Sequence, residues 1–184
     1  MRVIAGTARS MPLTTPKGND TRPTTDRIKE TLFNMIQGYI PDGVFVDLYS
    51  GSGGIGIEAL SRGAKHAYFV DNDNNAIKCI NENLKFTKLD GKATVLKQDV
   101  FTALSLIHEK NADIVFADPP YEAGYEPALI NALSKCSFVG EDTVIIVEAL
   151  LDTDFSFADS YGFDILKEKC YKSNKHVWLI RKEA

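Results

Sequence analysis

From residue 44 onwards the chain alternates short apolar runs with amphipathic stretches. Val44–Tyr49, Ala67–Val70, Ala93–Leu96, Ile114–Ala117 and Thr143–Val147 have the length and composition of strands. Helical patterns lie between them, near 54–62, 74–86, 101–109 and 125–136, with Ile77, Ile80 and Leu84 marking the period in the second. Such alternation predicts a parallel sheet, because each apolar strand then needs a helix on either face to cover it. Phe163–Lys167 and His176–Arg181 follow with little helix between them, which predicts an antiparallel pair at the C-terminal edge. The expected fold is α/β: seven strands, mostly parallel, with helices on both faces.

The first 40 residues have a different character. Residues 12–23 are rich in Pro, Thr, Gly, Asn and Asp, and are expected to be irregular. Arg2–Ala5 is expected to form a short strand before them. After them, Thr24 or Thr25 is expected to cap a helix reaching about Gln37, with Asp26 in its first turn. Ile28, Leu32, Met35, Ile36 and Tyr39 fall on one face of that helix. The expected organisation is one domain over residues 1–184, with an N-terminal extension (1–40) on a sheet core (41–184).

At 184 residues, 44% hydrophobic and 25% charged, the chain has the composition of a globular protein with a sizeable core. It contains no apolar run long enough to span a bilayer, and residues 1–11 lack a signal-peptide core, so a cytoplasmic location is expected. Cys79, Cys136 and Cys170, like His66, His108 and His176, are too scattered to suggest a metal site. Net charge is −4, which gives no general support to nucleic-acid binding. The distribution is uneven, however. Residues 1–30 carry six basic and three acidic side chains, an excess of +3 that leaves −7 for the remainder. Lys167, Lys169, Lys172 and Lys175 form a second, smaller basic run. Such asymmetry fits a phosphate-facing edge on an acidic body, and equally fits loose surface charge.

Ligands of open parallel sheets bind beyond the carboxyl ends of the strands, and four features fall there. The first strand runs through Asp47 into Gly51-Ser52-Gly53-Gly54-Ile55-Gly56, a turn that lets a ligand approach backbone N–H groups. The second ends in Asp71-Asn72-Asp73, placing Asp71 20 residues beyond Gly51, where an acid can accept both hydroxyls of a ribose. The third ends in Gln98-Asp99, an acceptor for an adenine amino group. The fourth ends in Asp118-Pro119-Pro120-Tyr121. Proline lacks a backbone N–H, so this rigid turn presents carbonyl acceptors with few competing donors. Asp118 adds an anionic acceptor and Tyr121 a stacking face. The combination suits a planar heterocycle with an exocyclic NH₂ group.

The glycine turn with Asp71 also matches a dinucleotide fingerprint. That motif leaves open a nicotinamide-dependent oxidoreductase and a catalytically inactive nucleotide-binding module. Asp47 would repel a pyrophosphate, yet it suits the cationic parts of S-adenosylmethionine. The amine acceptor at Asp118 has no use in hydride chemistry. Both features favour methyl transfer.

The stretch from Asp47 to Leu60, Asp71-Asn72-Asp73 and Asp118-Pro119-Pro120-Tyr121 resemble the motifs of class I S-adenosylmethionine-dependent methyltransferases. Arg22-Pro23-Thr24-Thr25-Asp26-Arg27-Ile28-Lys29-Glu30-Thr31-Leu32-Phe33-Asn34 narrows the likeness. Together with Arg2–Gly6, it makes the chain similar to the bacterial small-subunit rRNA guanine-N2 methyltransferases over nearly its full length. One departure is visible. The family continues the first segment as Gly-x-x-Arg-Gly-Arg-Lys, whereas Gly6-Thr7-Ala8-Arg9 is followed here by Ser10, Met11 and Pro12.

The resemblance implies a Rossmann-like fold and methylation of the N2 of a guanine in 16S rRNA, with S-adenosyl-L-methionine as cofactor and no metal. It implies that Asp47, Gly51 and Gly53 line the methionine part, that Asp71 meets the ribose with Asn72 beside it, and that Asp99 and the Val100 N–H meet the adenine. Thr24 would hold the cofactor carboxylate. Asp118 and the Pro119 carbonyl would accept from the target amine, with Asp118 also bordering the cofactor and Tyr121 stacking on the base. Arg9, Arg22 and Arg27 are the RNA-contact candidates, although Arg22 or Arg27 has an alternative partner in Asp26 or Glu30. Glu58 is expected to be structural, an acid in a first helical turn. The acidic body favours an assembled small subunit over naked RNA, bound by a monomer. An adenine-N6 DNA methyltransferase or a small-molecule methyltransferase would use the same Asp-Pro-Pro-Tyr chemistry.

Overall fold

The computed structural model describes residues 1–16, 25–121 and 125–183. Among these, seven strands form one sheet: β1 (Val44–Leu48), β2 (His66–Asp71), β3 (Ala93–Lys97), β4 (Ile114–Ala117), β5 (Val144–Leu150), β6 (Phe163–Cys170) and β7 (Asn174–Arg181). Their spatial order is β3-β2-β1-β4-β5-β7-β6. The first five are parallel. Parallel neighbours need crossovers, supplied by α2 (Gly54–Ser61), α3 (Asn74–Thr87), α4 (Val100–Leu104) and α5 (Tyr125–Ser134). The expected C-terminal pair is present as a hairpin. Its second strand, β7, lies antiparallel between β5 and β6, leaving β6 at the edge. Exposed Asp164, Lys167, Glu168 and Lys169 on β6 discourage pairing with another sheet.

Alternation along β1 divides the core in two. Val44, Val46 and Leu48 point into one apolar layer with Leu104 of α4 and Leu129 of α5. Phe45 points into the other, with Leu32 and Phe33 of α1 (Asp26–Met35), Ile57 of α2 and Ile80 of α3. Asp47 shares the Phe45 face, which directs it towards α2.

Three expectations need correction. Arg2–Ala5 is not a strand; it makes one antiparallel bridge, Arg2 to Pro12. The N–H groups of Ile4 and Ala5 donate instead to the Glu58 carboxylate, at 2.8 and 3.0 Å. Glu58 is structural, but it lies in the second turn of α2 rather than the first. It is fully buried and also meets Lys29 Nζ at 3.3 Å and Arg62 Nε at 2.8 Å. Burial holds the Lys29 ammonium below its ordinary pKa, against the opposing pull of Glu58. The helix expected over 101–109 is only Val100–Leu104. Beyond it the Ser105 hydroxyl takes the Thr102 carbonyl, and Leu106 turns out to solvent, which breaks the apolar period.

Candidate active site at the carboxyl ends of the strands

β1 ends in a bend that its own residues impose. Tyr49 has φ +62°, a sparsely populated region for a bulky side chain. Gly51 (φ +55°) and Gly53 (φ +76°) complete the turn, and Gly53 caps the N-terminus of α2. A side chain at either glycine would strain this backbone. Two carboxylates brace the turn. Asp47 Oδ2 accepts from Gly56 N–H at 2.9 Å, and Asp71 Oδ2 accepts from Gly51 N–H at 2.9 Å. Asp71 Oδ1 accepts in addition from Asp73 N–H at 2.9 Å, while Asn72 is exposed beside it.

These acids share one electrostatic environment. Burial pushes the Asp47 carboxyl up to about 8, opposed by the Gly56 N–H and reinforced by the charges of Asp71 and Asp118. Burial likewise pushes Asp118 up to about 7, with the Glu148 carboxylate adding to the rise. The neighbouring ends of β1, β2, β4 and β5 therefore form one acceptor-rich edge. A cationic or N–H-rich guest stabilises the ionised form of such groups.

Asp99 sits at the end of β3, where it caps α4 by accepting from Thr102 N–H at 3.0 Å. Hydrogen bonds from Thr102 hold this exposed carboxyl below its ordinary range. Val100 follows as the first residue of α4. An aromatic wall that sequence reasoning missed stands next to it: Tyr125 meets Tyr49 and Phe101, each at 5.8 Å between ring centroids. Its signal was an aromatic directly after β1, Tyr49, and another in the first turn of α4, Phe101.

Beyond β4, Pro119 is buried and Tyr121 is 51% exposed. The Tyr121 hydroxyl lies 3.5 Å from Glu148 Oε1. Behind Glu148 stand His176, with Nε2 3.2 Å from Oε2, and Asn174, whose amide donates to Oε1. Tyr171 OH lies 3.2 Å from His176 Nδ1. Glu148 and His176 were also missed. Glu148 follows the apolar run Val144–Val147 much as Asp47, Asp71 and Asp118 follow theirs, and that pattern could have found it.

Thr24 and Arg22 lie outside the described residues; Thr25 is the observed cap of α1, accepting from Ile28 N–H at 3.3 Å. Arg9 is exposed on the N-terminal loop and Arg27 on α1. Asp26, offered by the sequence as a partner for Arg22 or Arg27, pairs with Arg2 at 3.0 Å. Lys167, Lys169 and Lys172 are exposed, but Lys175 is buried against Glu168, so the C-terminal lysines are not one basic surface.

Asp71 should contribute to cofactor affinity and to the shape of the turn. Asp71→Ala should weaken S-adenosylmethionine binding by about 1.5–3 kcal/mol, the range for hydrogen bonds to a charged group. Calorimetry on the folded variant tests this, and an unchanged affinity would remove Asp71 from the site.

A parallel sheet with a glycine turn after β1 and acids at successive strand ends is Rossmann-like, and solved structures agree. A structure titled "Putative methyltransferase yhhF from Escherichia coli" superposes with TM-score 0.85 at 31% identity, covering 99% of this chain and 98% of that one. The chain belongs to the family described as conserved hypothetical protein 95, which matches residues 1–180. A Bacillus subtilis (strain 168) relative named "Putative rRNA methyltransferase YlbH" is 41% identical over 92% of each chain. Escherichia coli (strain K12) "Ribosomal RNA small subunit methyltransferase D" is 36% identical, over 81% of this chain and 74% of that protein. Among the described residues, no helix is long and apolar enough to cross a membrane, and no group of three or more His, Cys, Asp or Glu is placed to hold a metal ion.

Proposed function

We propose that this protein is an S-adenosylmethionine-dependent rRNA methyltransferase whose target is the exocyclic N2 of a guanine in the small-subunit rRNA. The observation that supports the reading is that β1 pairs with both β2 and β4, so Asp47, Asp71 and Asp118 gather at neighbouring strand ends, where the charges of Asp71 and Asp118 act on the Asp47 carboxyl. The relatives' names support rRNA as the substrate class. The residues suit the cofactor. A Cβ placed at Gly51 would meet nothing within 4 Å, so there is room against the turn, and buried Asp47 beside it complements a cationic amino-acid moiety. When bound, the cofactor supplies an electrophilic methyl group on a sulfonium.

The chain's own residues prepare the nucleophile. An aryl amine is weakly nucleophilic because its lone pair is delocalised into the ring. Asp118 and the Pro119 carbonyl accept its two N–H groups, which pyramidalises the nitrogen and directs its lone pair towards the methyl group. Holding the amine in this orientation lowers the barrier by several kcal/mol. Tyr121 holds the base by stacking, which contributes about 1–3 kcal/mol. Stacking also offsets the few kcal/mol needed to take the base out of its own stack. The methylated nitrogen must shed a proton, and Asp118, pushed up to about 7, is placed to take it. Asp71, Asp99 and the Val100 N–H hold the nucleoside part of the cofactor.

Calorimetry against S-adenosylmethionine and NAD tests the class. Binding of the former alone is expected, and binding of NAD alone would return the fold to a dehydrogenase reading. Arg9 and the N-terminal block supply phosphate contacts. Arg9→Ala should lower the salt slope of binding to small subunits by about one unit with cofactor affinity unchanged. An equal slope in a salt series would mean that Arg9 does not contact phosphate.

A further inference from the structure

The register of β4 on β5 pairs Ala117 with Val147, so Asp118, the first residue beyond β4, lies next to Glu148, which is still within β5. Neighbouring strands lie about 4.7–4.9 Å apart. The cleft therefore offers two carboxylates at one edge, beside the Tyr121 ring. Three protein groups fix the Glu148 carboxylate: Asn174, His176 and, more loosely at 3.5 Å, the Tyr121 hydroxyl. His176 lies between two partners, with Nε2 facing Glu148 and Nδ1 facing Tyr171 OH. Burying a carboxylate is costly, and Asn174 and His176 offset that cost.

We propose that Glu148 selects guanine, its carboxylate accepting the guanine N1–H while Asp118 and Pro119 accept the adjacent N2 amine. The inference rests on the guanine-N2 reading above. Guanine presents N1–H and N2–H₂ as a row of donors on one edge, complementary to two side-by-side carboxylates. Adenine presents its N1 lone pair beside its amine, which a carboxylate at Glu148 repels. The long Tyr121 contact is the one that a base N–H displaces. The His176–Tyr171 chain holds the carboxylate in place from behind. Asp118 then serves the reacting amine and Glu148 identifies the base that carries it.

The base analogue 2-aminopurine separates these roles, because it keeps the exocyclic 2-amine but carries a lone pair at N1. Small subunits would be reconstituted with 16S rRNA bearing either guanine or 2-aminopurine at the methylated position, mapped beforehand, and single-turnover rates compared. Wild-type protein should prefer guanine by about 10- to 100-fold, the loss expected for one charge-assisted hydrogen bond. Glu148→Gln, whose amide can donate to the analogue's N1, should reduce the preference to about threefold or less while S-adenosylmethionine affinity stays unchanged. Equal wild-type rates on both bases, or a folded Glu148→Gln variant keeping the full preference, would overturn the proposal. If that variant does not fold, Glu148→Asp, which draws the carboxylate back by one methylene, takes its place and must lower the preference. Nucleoside analysis of the guanine substrate distinguishes the two levels. N2-methylguanosine with an unchanged preference removes Glu148 alone, and any other product removes the guanine-N2 reading with it.

Discussion

Replacing Asp118 with Ala should lower single-turnover methyl transfer by about 10³-fold, within the range found when a positioned acid–base group is lost. RNA and cofactor binding should largely survive, because stacking on Tyr121 and the β1–β2 turn remain. Asp118→Asn keeps the shape but loses the charge, and should be nearly as impaired. The wild-type rate should also depend on pH in a defined sense. Only the ionised carboxylate accepts both from the amine and from the departing proton, so activity should rise as pH passes through about 7 and level off above it. The effect on stability has the opposite sign. A carboxyl raised above its unfolded value stabilises the fold at low pH, and that contribution is lost as pH rises through about 7 for Asp118 and about 8 for Asp47. Substantial single-turnover activity in a folded Asp118→Ala variant would remove the proposed role.

Glu58→Gln should cost about 3–5 kcal/mol of stability, the loss seen when one partner of a buried ion pair is removed. Lys29 and Glu58 side chains are wholly inaccessible, and Lys29 also donates to the Arg2 carbonyl at 2.5 Å. Without the carboxylate, the Lys29 charge would be buried with less compensation, and one of the Ile4 and Ala5 N–H groups would face the Gln amide NH2 instead of an acceptor. The N-terminal segment would then depend on Ser61, which accepts from Thr7 and Ala8 N–H and donates to the Ala5 carbonyl, to hold it against α2. A double replacement, Lys29→Met with Glu58→Gln, removes the uncompensated Lys29 charge while keeping one side-chain oxygen as an acceptor, and should recover part of the loss. Urea unfolding midpoints for the single and double variants test this. A single-variant loss below about 1 kcal/mol would place the pair among weakly contributing surface bridges.

The sheet was legible because it is buried on both faces. Apolar runs at Val44–Val46 and Ile114–Ala117, alternating with helical patterns, fit strands covered on both faces, and the acids that follow them mark the carboxyl edge. The acids at those ends were legible for the same reason. What the pattern concealed depends on contacts distant in sequence. Nothing local to Ile4 and Ala5 indicates that their N–H groups will meet Glu58, 53 to 54 residues away, instead of a strand partner. His176 reads as one more strand residue until β7 inserts beside β5 and sets it against Glu148. The edge position was similarly hidden, because a hairpin's periodicity does not say which of its strands docks first. The basic charge at the N-terminus was visible, but its partners were not: Asp26 is taken by Arg2, and Lys29 is buried.

The central claim is that Asp118, Pro119 and Tyr121 present a guanine amine to a bound methyl donor. Small subunits from cells lacking this protein, incubated with it and isotopically labelled S-adenosylmethionine, digested to nucleosides and separated, test that claim most directly. The label should appear as N2-methylguanosine, in one equivalent per subunit, and should vanish with Asp118→Ala. Label in another nucleoside, or on guanine at an atom other than N2, would contradict it.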